Sequence, residues 1–208
     1  MTPRRTSQTF SRRASYRPAI RATHALLAIL LCWPLYTPAE EERAALRRFL
    51  MDSVTESSSF EDRFDAEVWL LDMQTRLKPF MADPEERLLF LTTLHREALA
   101  AELSPELVLA LIEVESHFDR FAVSRVGAQG YMQVMPFWKD EIGRPEDNLT
   151  QAQTNLRYGC RILQFYLNRE QDLRRGLAAY NGSLGKTTYS DKVYEAWRKR
   201  WRAEPLGW

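Results

Sequence analysis

Cysteine is nearly missing: Cys32 and Cys160 are the two in 208 residues, too few for the disulfide framework that staples small secreted folds. Cys160 has no neighbouring motif to activate it as a nucleophile and reads as a small buried hydrophobe on a helix. Histidine is scarce too. His24, His95 and His117 show no metal-ligand spacing with either cysteine, so zinc is not implied. A surplus of one charge is also lacking, since 29 basic and 28 acidic side chains leave +1. That balance argues against a nucleic-acid partner, which needs a strong basic excess. There is no internal repeat and no low-complexity tract. The remainder, 45% hydrophobic, 12% aromatic and 27% charged, is the composition of a packed globular chain.

No acidic residue precedes Glu40, whereas Arg4, Arg5, Arg12, Arg13, Arg17 and Arg21 all do. The apolar run that follows, 25–33, is about nine residues long, too short to span a bilayer but the right length for a secretory h-region. Thr37 and Ala39 supply small residues for cleavage after Ala39, so 1–39 is expected to be a signal peptide. The alternative is an uncleaved anchor, which the long basic stretch leaves open. Leu31 before Cys32 is not the small residue that lipid attachment prefers. Export implies a periplasmic or cell-envelope location. Roughly 170 residues then remain, enough for one domain with a real core.

Beyond residue 40 apolar residues recur at three- and four-residue spacing, and sustained two-residue alternation is absent, which predicts an all-α fold. Leu46, Phe49 and Leu50 mark a first short helix, and 53–59 reads as a loop. A second helix is expected over 62–77, with Phe64, Val68, Leu71 and Met73 on one stripe and Lys78-Pro79 at its end. A third begins after Asp83, an N-cap with Pro84 at N1, and carries Leu88, Leu91 and Leu94 towards Leu99. Residues 104–117 hold the clearest start signal: Ser104 as cap, Pro105 at N1 and Glu106 at the positive end of the dipole. Residues 118–136, with Gly127, Gly130 and Pro136, read as an irregular loop. Further helices are expected over 151–168, 173–180 and about 190–201.

The helix after Ser104 is apolar on nearly every face from Leu107 to Ile112, as for a helix through the middle of a domain. Glu113 and Glu115 follow, two positions and therefore roughly 200° apart, so they cannot form a carboxylate pair on one face. Glu115 closes the apolar helix, where burial and the negative end of the dipole both disfavour the carboxylate and raise its pKa. Such a carboxyl is what an acid catalyst of glycosidic cleavage needs near neutral pH. From position alone, a surface glutamate at a helix end is the competing reading.

The flanking residues bear on that choice. Glu115-Ser116-His117-Phe118, followed by Ser124-Arg125-Val126-Gly127-Ala128-Gln129-Gly130-Tyr131-Met132-Gln133-Val134-Met135-Pro136, resembles the signature of the soluble lytic transglycosylase (SLT) family in both residue types and spacing. Ala179-Tyr180-Asn181-Gly182 is similar to that family's Ala-Tyr-Asn element, and Tyr189 with Lys192-Val193 to its terminal tyrosine motif. The stretch from Asn148-Leu149 through Gly159 and Leu163 resembles the helix between. Tyr131 stands where the family usually has leucine, and Arg120 where proline is common. The resemblance covers about 100–198.

What the resemblance implies is a lysozyme-like (goose-type/SLT) helical catalytic domain at 100–208, preceded by an N-terminal helical extension, 40–99, packed on it. It implies Glu115 as acid and then base. Ser124, Gln133, Met135, Tyr180, Asn181 and Tyr189 become substrate-binding candidates, with Gly127 and Gly130 shaping the loop. An amide offers donor and acceptor to an acetamido group, and a tyrosine offers an aromatic body with a polar tip. Met132 fits core as well as groove, and Ser116 fits a capping or orienting role. The implied substrate is the glycan strand of peptidoglycan, acted on by a monomer with no metal and no cofactor. The motif supplies one carboxylate where ordinary glycosidases use two, although Asp119, four residues on, could still point to the same cleft. The implied reaction is non-hydrolytic: the muramic 6-hydroxyl closes onto C1 to give a 1,6-anhydro sugar. A goose-type hydrolase and a non-catalytic peptidoglycan-binding module are the alternatives.

Overall fold

The computed structural model describes residues 63–202, all within the second of the chain's two compact units, Ala44–Trp208. The expected signal peptide, the first helix near Leu46 and the 53–59 loop lie outside the described residues. Helices run in the order α1 Arg63–Leu77, α2 Pro84–Ala100, α3 Pro105–Ser116, α4 Trp138–Ile142, α5 Ala152–Glu170, α6 Leu173–Tyr180 and α7 Thr188–Ala196, and a π-helical turn Trp197–Trp201 continues α7. Among the described residues β-type pairing is confined to two isolated bridges, Val123 with Gln129 and Gln129 with Val134. The fold is all-α, as the spacing of apolar residues predicts.

The helix starts follow from local chemistry. The Asp83 side chain accepts from the Glu86 N–H at 2.7 Å, and Ser104 Oγ accepts from the Leu107 N–H, each satisfying a backbone donor that the first turn leaves free. Val108 to Ile112 on α3 are fully buried, so α3 runs through the core. Truncating Leu109 or Leu111 to alanine there costs about 2–5 kcal/mol. α3 packs against α2, α7 and the π-helical turn, while α5 packs against α2 and α6.

Two expectations need correction. The buried face of α1 is Ala66, Leu70, Met73 and Leu77, and Leu71 is 53% exposed. The Leu70-Leu71 doublet offers two stripes, and small Ala66 marks the one that closes against α2. The final helix begins two residues early, at Thr188, and after Ala196 widens into the π-helical turn, where the Arg202 N–H reaches the Trp197 carbonyl at 2.7 Å. The wider turn buries Trp201 completely. α4 was not expected. It buries no residue and has no side-chain cap, so it carries no periodic signal.

The loop 118–136 is folded rather than slack. Asn155 on α5, fully buried, accepts from the Met132 N–H and donates to the carbonyls of Gln129 and Leu149, each at 2.8 Å. Gly130 (φ +73°) passes so close that an added Cβ would lie 2.4 Å from Asn155 Nδ2 and 2.5 Å from the Leu149 carbonyl oxygen. Gly127 (φ +89°) meets nothing within 4 Å, so its left-handed backbone alone explains it. The close approach at Gly130 is to α5 and its preceding loop.

Candidate active site

α3 ends one residue after Glu115, and His117 and Phe118 both take left-handed backbone (φ 55° and 63°) to turn the chain away. Ser116 Oγ donates to the Tyr131 carbonyl at 2.8 Å, tying the helix end to the loop in the orienting role the motif allows. This leaves Glu115 half-buried, with its Oε1 accepting a 2.5 Å hydrogen bond from the Tyr189 hydroxyl of α7. The two face an open cleft of about 360 Å³, lined also by Val114, Asn181, Ser183, Lys186, Thr188 and Lys192. Burial pushes the Glu115 pKa up to about 7, against the hydrogen bond from Tyr189, which pulls it down.

Glu113 has the opposite surroundings. Its two carboxylate oxygens are taken by Arg200 and by Trp201 Nε1 in the π-helical turn. The 200° separation thus places one glutamate in an ion pair and the other in the cleft. Asp119 is exposed, caps the Phe121 N–H at 2.8 Å and is not among the cleft's lining residues.

Of the substrate-binding candidates, Asn181 and Tyr189 line the cleft with Glu115. Tyr180 is close by, near enough for a negative Glu115 to raise its pKa after burial has done so, and its hydroxyl donates to the Met132 carbonyl at 2.7 Å. Ser124, Gln133 and Met135 sit in the 118–136 loop and not among those lining residues. Ser124 Oγ accepts from the Ala128 N–H at 3.0 Å and closes a turn. The Gln133 amide nitrogen donates to the carbonyls of Ala122 and Gly130 at 3.1 and 3.0 Å, so its donor is spent on the loop. Met135 is partly exposed, whereas Met132 is fully buried and belongs to the core. Tyr131, the departure from the family pattern, is buried too, with its ring 4.8 Å from that of Phe90 on α2.

Several members of the site escape a sequence reading. Ser183 and Lys186 come from the turn between α6 and α7, and Thr188 is the first residue of α7; their place beside Glu115 depends on packing. Asn155 could have been found, since Leu156, Gly159, Cys160 and Leu163 define a buried face of α5 and an asparagine next to it demands partners.

A helical domain that holds one half-buried carboxyl, tuned to about neutral pH, at the wall of an open cleft has the chemistry to pass a proton to a molecule bound there. The profile of the family described as "Transglycosylase SLT domain" matches residues 93–201, more than half the chain, and the chain belongs to that family. It is 31% identical over 91 residues to a transglycosylase of Enterobacteria phage PRD1, which covers 44% of this chain and 34% of that protein. The chain thus spans about a third of that relative's length. It is also similar to the X-ray structure of an inactive mutant of the lytic transglycosylase Slt from Pseudomonas aeruginosa, at 27% identity and a TM-score of 0.41, over 50% of this chain and 20% of that one.

Proposed function

We propose that the protein is a peptidoglycan lytic transglycosylase in which Glu115 acts first as acid and then as base. The observation that carries the reading is the Glu115 carboxyl itself: half-buried, with a pKa of about 7, and the one acidic residue among those lining its cleft. Near pH 7 about half of such carboxyls hold a proton, so both forms needed in one turnover are at hand.

Glu115 gives its proton to the glycosidic oxygen between N-acetylmuramic acid and N-acetylglucosamine as the bond to C1 breaks, and the 2-acetamido group stabilises the positive charge. The carboxylate then takes the proton of the muramic 6-hydroxyl as that oxygen bonds to C1. Proton, bond and charge return to balance with no water consumed, and the product is a 1,6-anhydro end. Tyr189 fixes the carboxyl through its hydrogen bond, and Asn181 presents an amide at the same wall. The substrate places the enzyme's work in the cell envelope, in line with the export expected from 1–39.

Release of soluble glycan from purified sacculi by wild type and Glu115→Gln tests the catalytic reading. Removing an acid/base group costs about 10²–10⁴-fold in rate. A binding module would behave alike in both forms.

A further inference from the structure

Residues 63–92 precede the matched region 93–201, yet side chains among them reach the helix that bears Glu115 and the turn beside it. At the start of α3, Trp69 Nε1 of α1 donates to Glu106 at 2.6 Å. At the other end, Arg76 Nη1 donates to the carbonyls of Arg200 and Arg202 at 2.6 and 3.2 Å. These carbonyls belong to the end of a helical segment, which leaves its last acceptors without internal partners. Asp72 aims the guanidinium through two 2.7 Å bonds to Nε and Nη2.

Phe80, in the link between α1 and α2, completes the contact. Its ring centroid lies 5.1 Å from that of His117, 4.9 Å from Phe118 and 6.1 Å from Trp201, and the Arg200 guanidinium lies 5.1 Å from it. His117 and Phe118 are the two left-handed residues that end α3 directly after Glu115 and Ser116. Left-handed non-glycine backbone persists only where its surroundings hold it, and Phe80 touches both rings. Arg200 and Trp201 then grip Glu113, two positions before Glu115.

These contacts meet at one point. α3 carries Glu115, and α7, which carries Tyr189, runs without a break into the π-helical turn. Whatever fastens that turn to the exit of α3 sets the spacing between the two helices, and so the hydrogen bond between their catalytic-site residues. Irregular π-helical turns recur at functional sites, where extra backbone width places a side chain that a regular helix could not.

We propose that Arg76 and Phe80 are positioning residues for Glu115, clamping the π-helical turn to the end of α3 from a segment outside the matched domain. The proposal rests on Glu115 as the reacting carboxyl. It gives the residues ahead of the domain a task in catalysis beyond adding stability.

The test uses the full chain as wild type, Arg76→Met, Arg76→Lys and Phe80→Leu, with two readouts: kcat and KM on soluble glycan strands, and the titration of Glu115 followed by ¹³C NMR on glutamate-labelled protein, assigned with Glu115→Gln. Arg76→Met keeps the aliphatic stem and loses both carbonyl bonds, and kcat is expected to fall about tenfold with KM within about twofold, as for a misplaced rather than a missing group. Loosening admits water to the carboxyl, which relieves the burial that raises its pKa, and also weakens the Tyr189 bond that lowers it; burial is the larger cause, so the titration should move downward from about 7. Arg76→Lys, which retains a donor for one carbonyl, should recover most of kcat. If Arg76→Met does not fold, Phe80→Leu is read in the same way. An unchanged titration and unchanged kcat, with only the melting temperature lowered, would overturn the proposal. Should the wild type cleave no glycan, the functional reading fails by itself, while the NMR titration still decides the positioning claim.

Discussion

The hydroxyl of Tyr189 donates to Glu115 Oε1 at 2.5 Å across 74 residues of sequence, and this bond acts against the burial that dominates the carboxyl's titration. A hydroxyl that donates favours the charged form of the acid, whereas the low-polarity surroundings favour the neutral form. The pair sets Glu115 between an ordinary carboxylate and a permanently protonated one. Tyr189 is itself held neutral, because burial and the nearby Glu115 both push its pKa well above the usual phenol value.

Tyr189→Phe removes the donor and keeps the ring. The Glu115 pKa should rise by about one unit, shifting the alkaline limb of the pH–rate profile upward while kcat falls about tenfold, because the base form is no longer held in place. A pH–rate profile on soluble glycan from pH 4 to 9 reads both effects. An unshifted limb would show that the bond does not bear on the titration.

Glu115 also links stability to pH. Its folded pKa, about 7, lies above the ordinary glutamate value, so the native state binds the extra proton and unfolding releases it. The resulting contribution is complete below the unfolded pKa and is lost as pH rises through about 7. Glu115→Gln removes the titration, and its melting temperature should exceed that of wild type at pH 8 by more than at pH 4. The difference is on the order of 2 kcal/mol, discounted because the carboxyl is partly open to the cleft. Parallel thermal melts at the two pH values check this, and an equal difference at both would contradict it.

Asn155→Ala strips three partners from the loop at once: the Met132 N–H and the carbonyls of Gln129 and Leu149. Buried polar groups left unpaired make this costly, about 2–4 kcal/mol. Gly130→Ala should cost at least as much, since the methyl would meet the Leu149 backbone as well as Asn155, in a left-handed conformation. Urea unfolding monitored by circular dichroism measures both. Wild-type midpoints would mean that the loop relaxes freely.

The Cys160 thiol is fully buried on α5, and burial raises its pKa above the usual thiol value. It should resist an aromatic disulfide reagent in native protein and react once the chain is unfolded, a contrast that thiol titration with and without denaturant on a Cys32→Ser background reads directly. Rapid native reaction would contradict the packing of α5 against α2.

What the sequence makes legible here is what short-range chemistry decides. Ser104 and Pro105 start α3, the apolar run from Leu107 to Ile112 buries it, and the two-residue step from Glu113 to Glu115 sends one carboxyl to Arg200 and the other to the cleft. The residues that meet Glu115 across the cleft are less legible. Tyr189 and Asn181 came through motif spacing. Ser183 and Lys186 line the cleft because α6 and α7 pack together, which no local pattern encodes. Ser124 and Gln133 show the converse, since the Ser124 hydroxyl and the Gln133 amide nitrogen, matched by motif, bond to the loop's own backbone. The face of α1 is ambiguous at Leu71 for a similar reason: two adjacent leucines are equivalent until a partner helix chooses between them.

The central claim is that one carboxyl, Glu115, cleaves the glycan with the sugar's own 6-hydroxyl as nucleophile. Digestion of purified sacculi in ¹⁸O-labelled water, followed by mass analysis of the muropeptides, tests it most directly. Wild type should yield 1,6-anhydro ends, lighter by one water and free of label, and Glu115→Gln should yield almost none. Reducing ends that carry ¹⁸O from wild type, without the anhydro product, would contradict the account and make the enzyme a hydrolase.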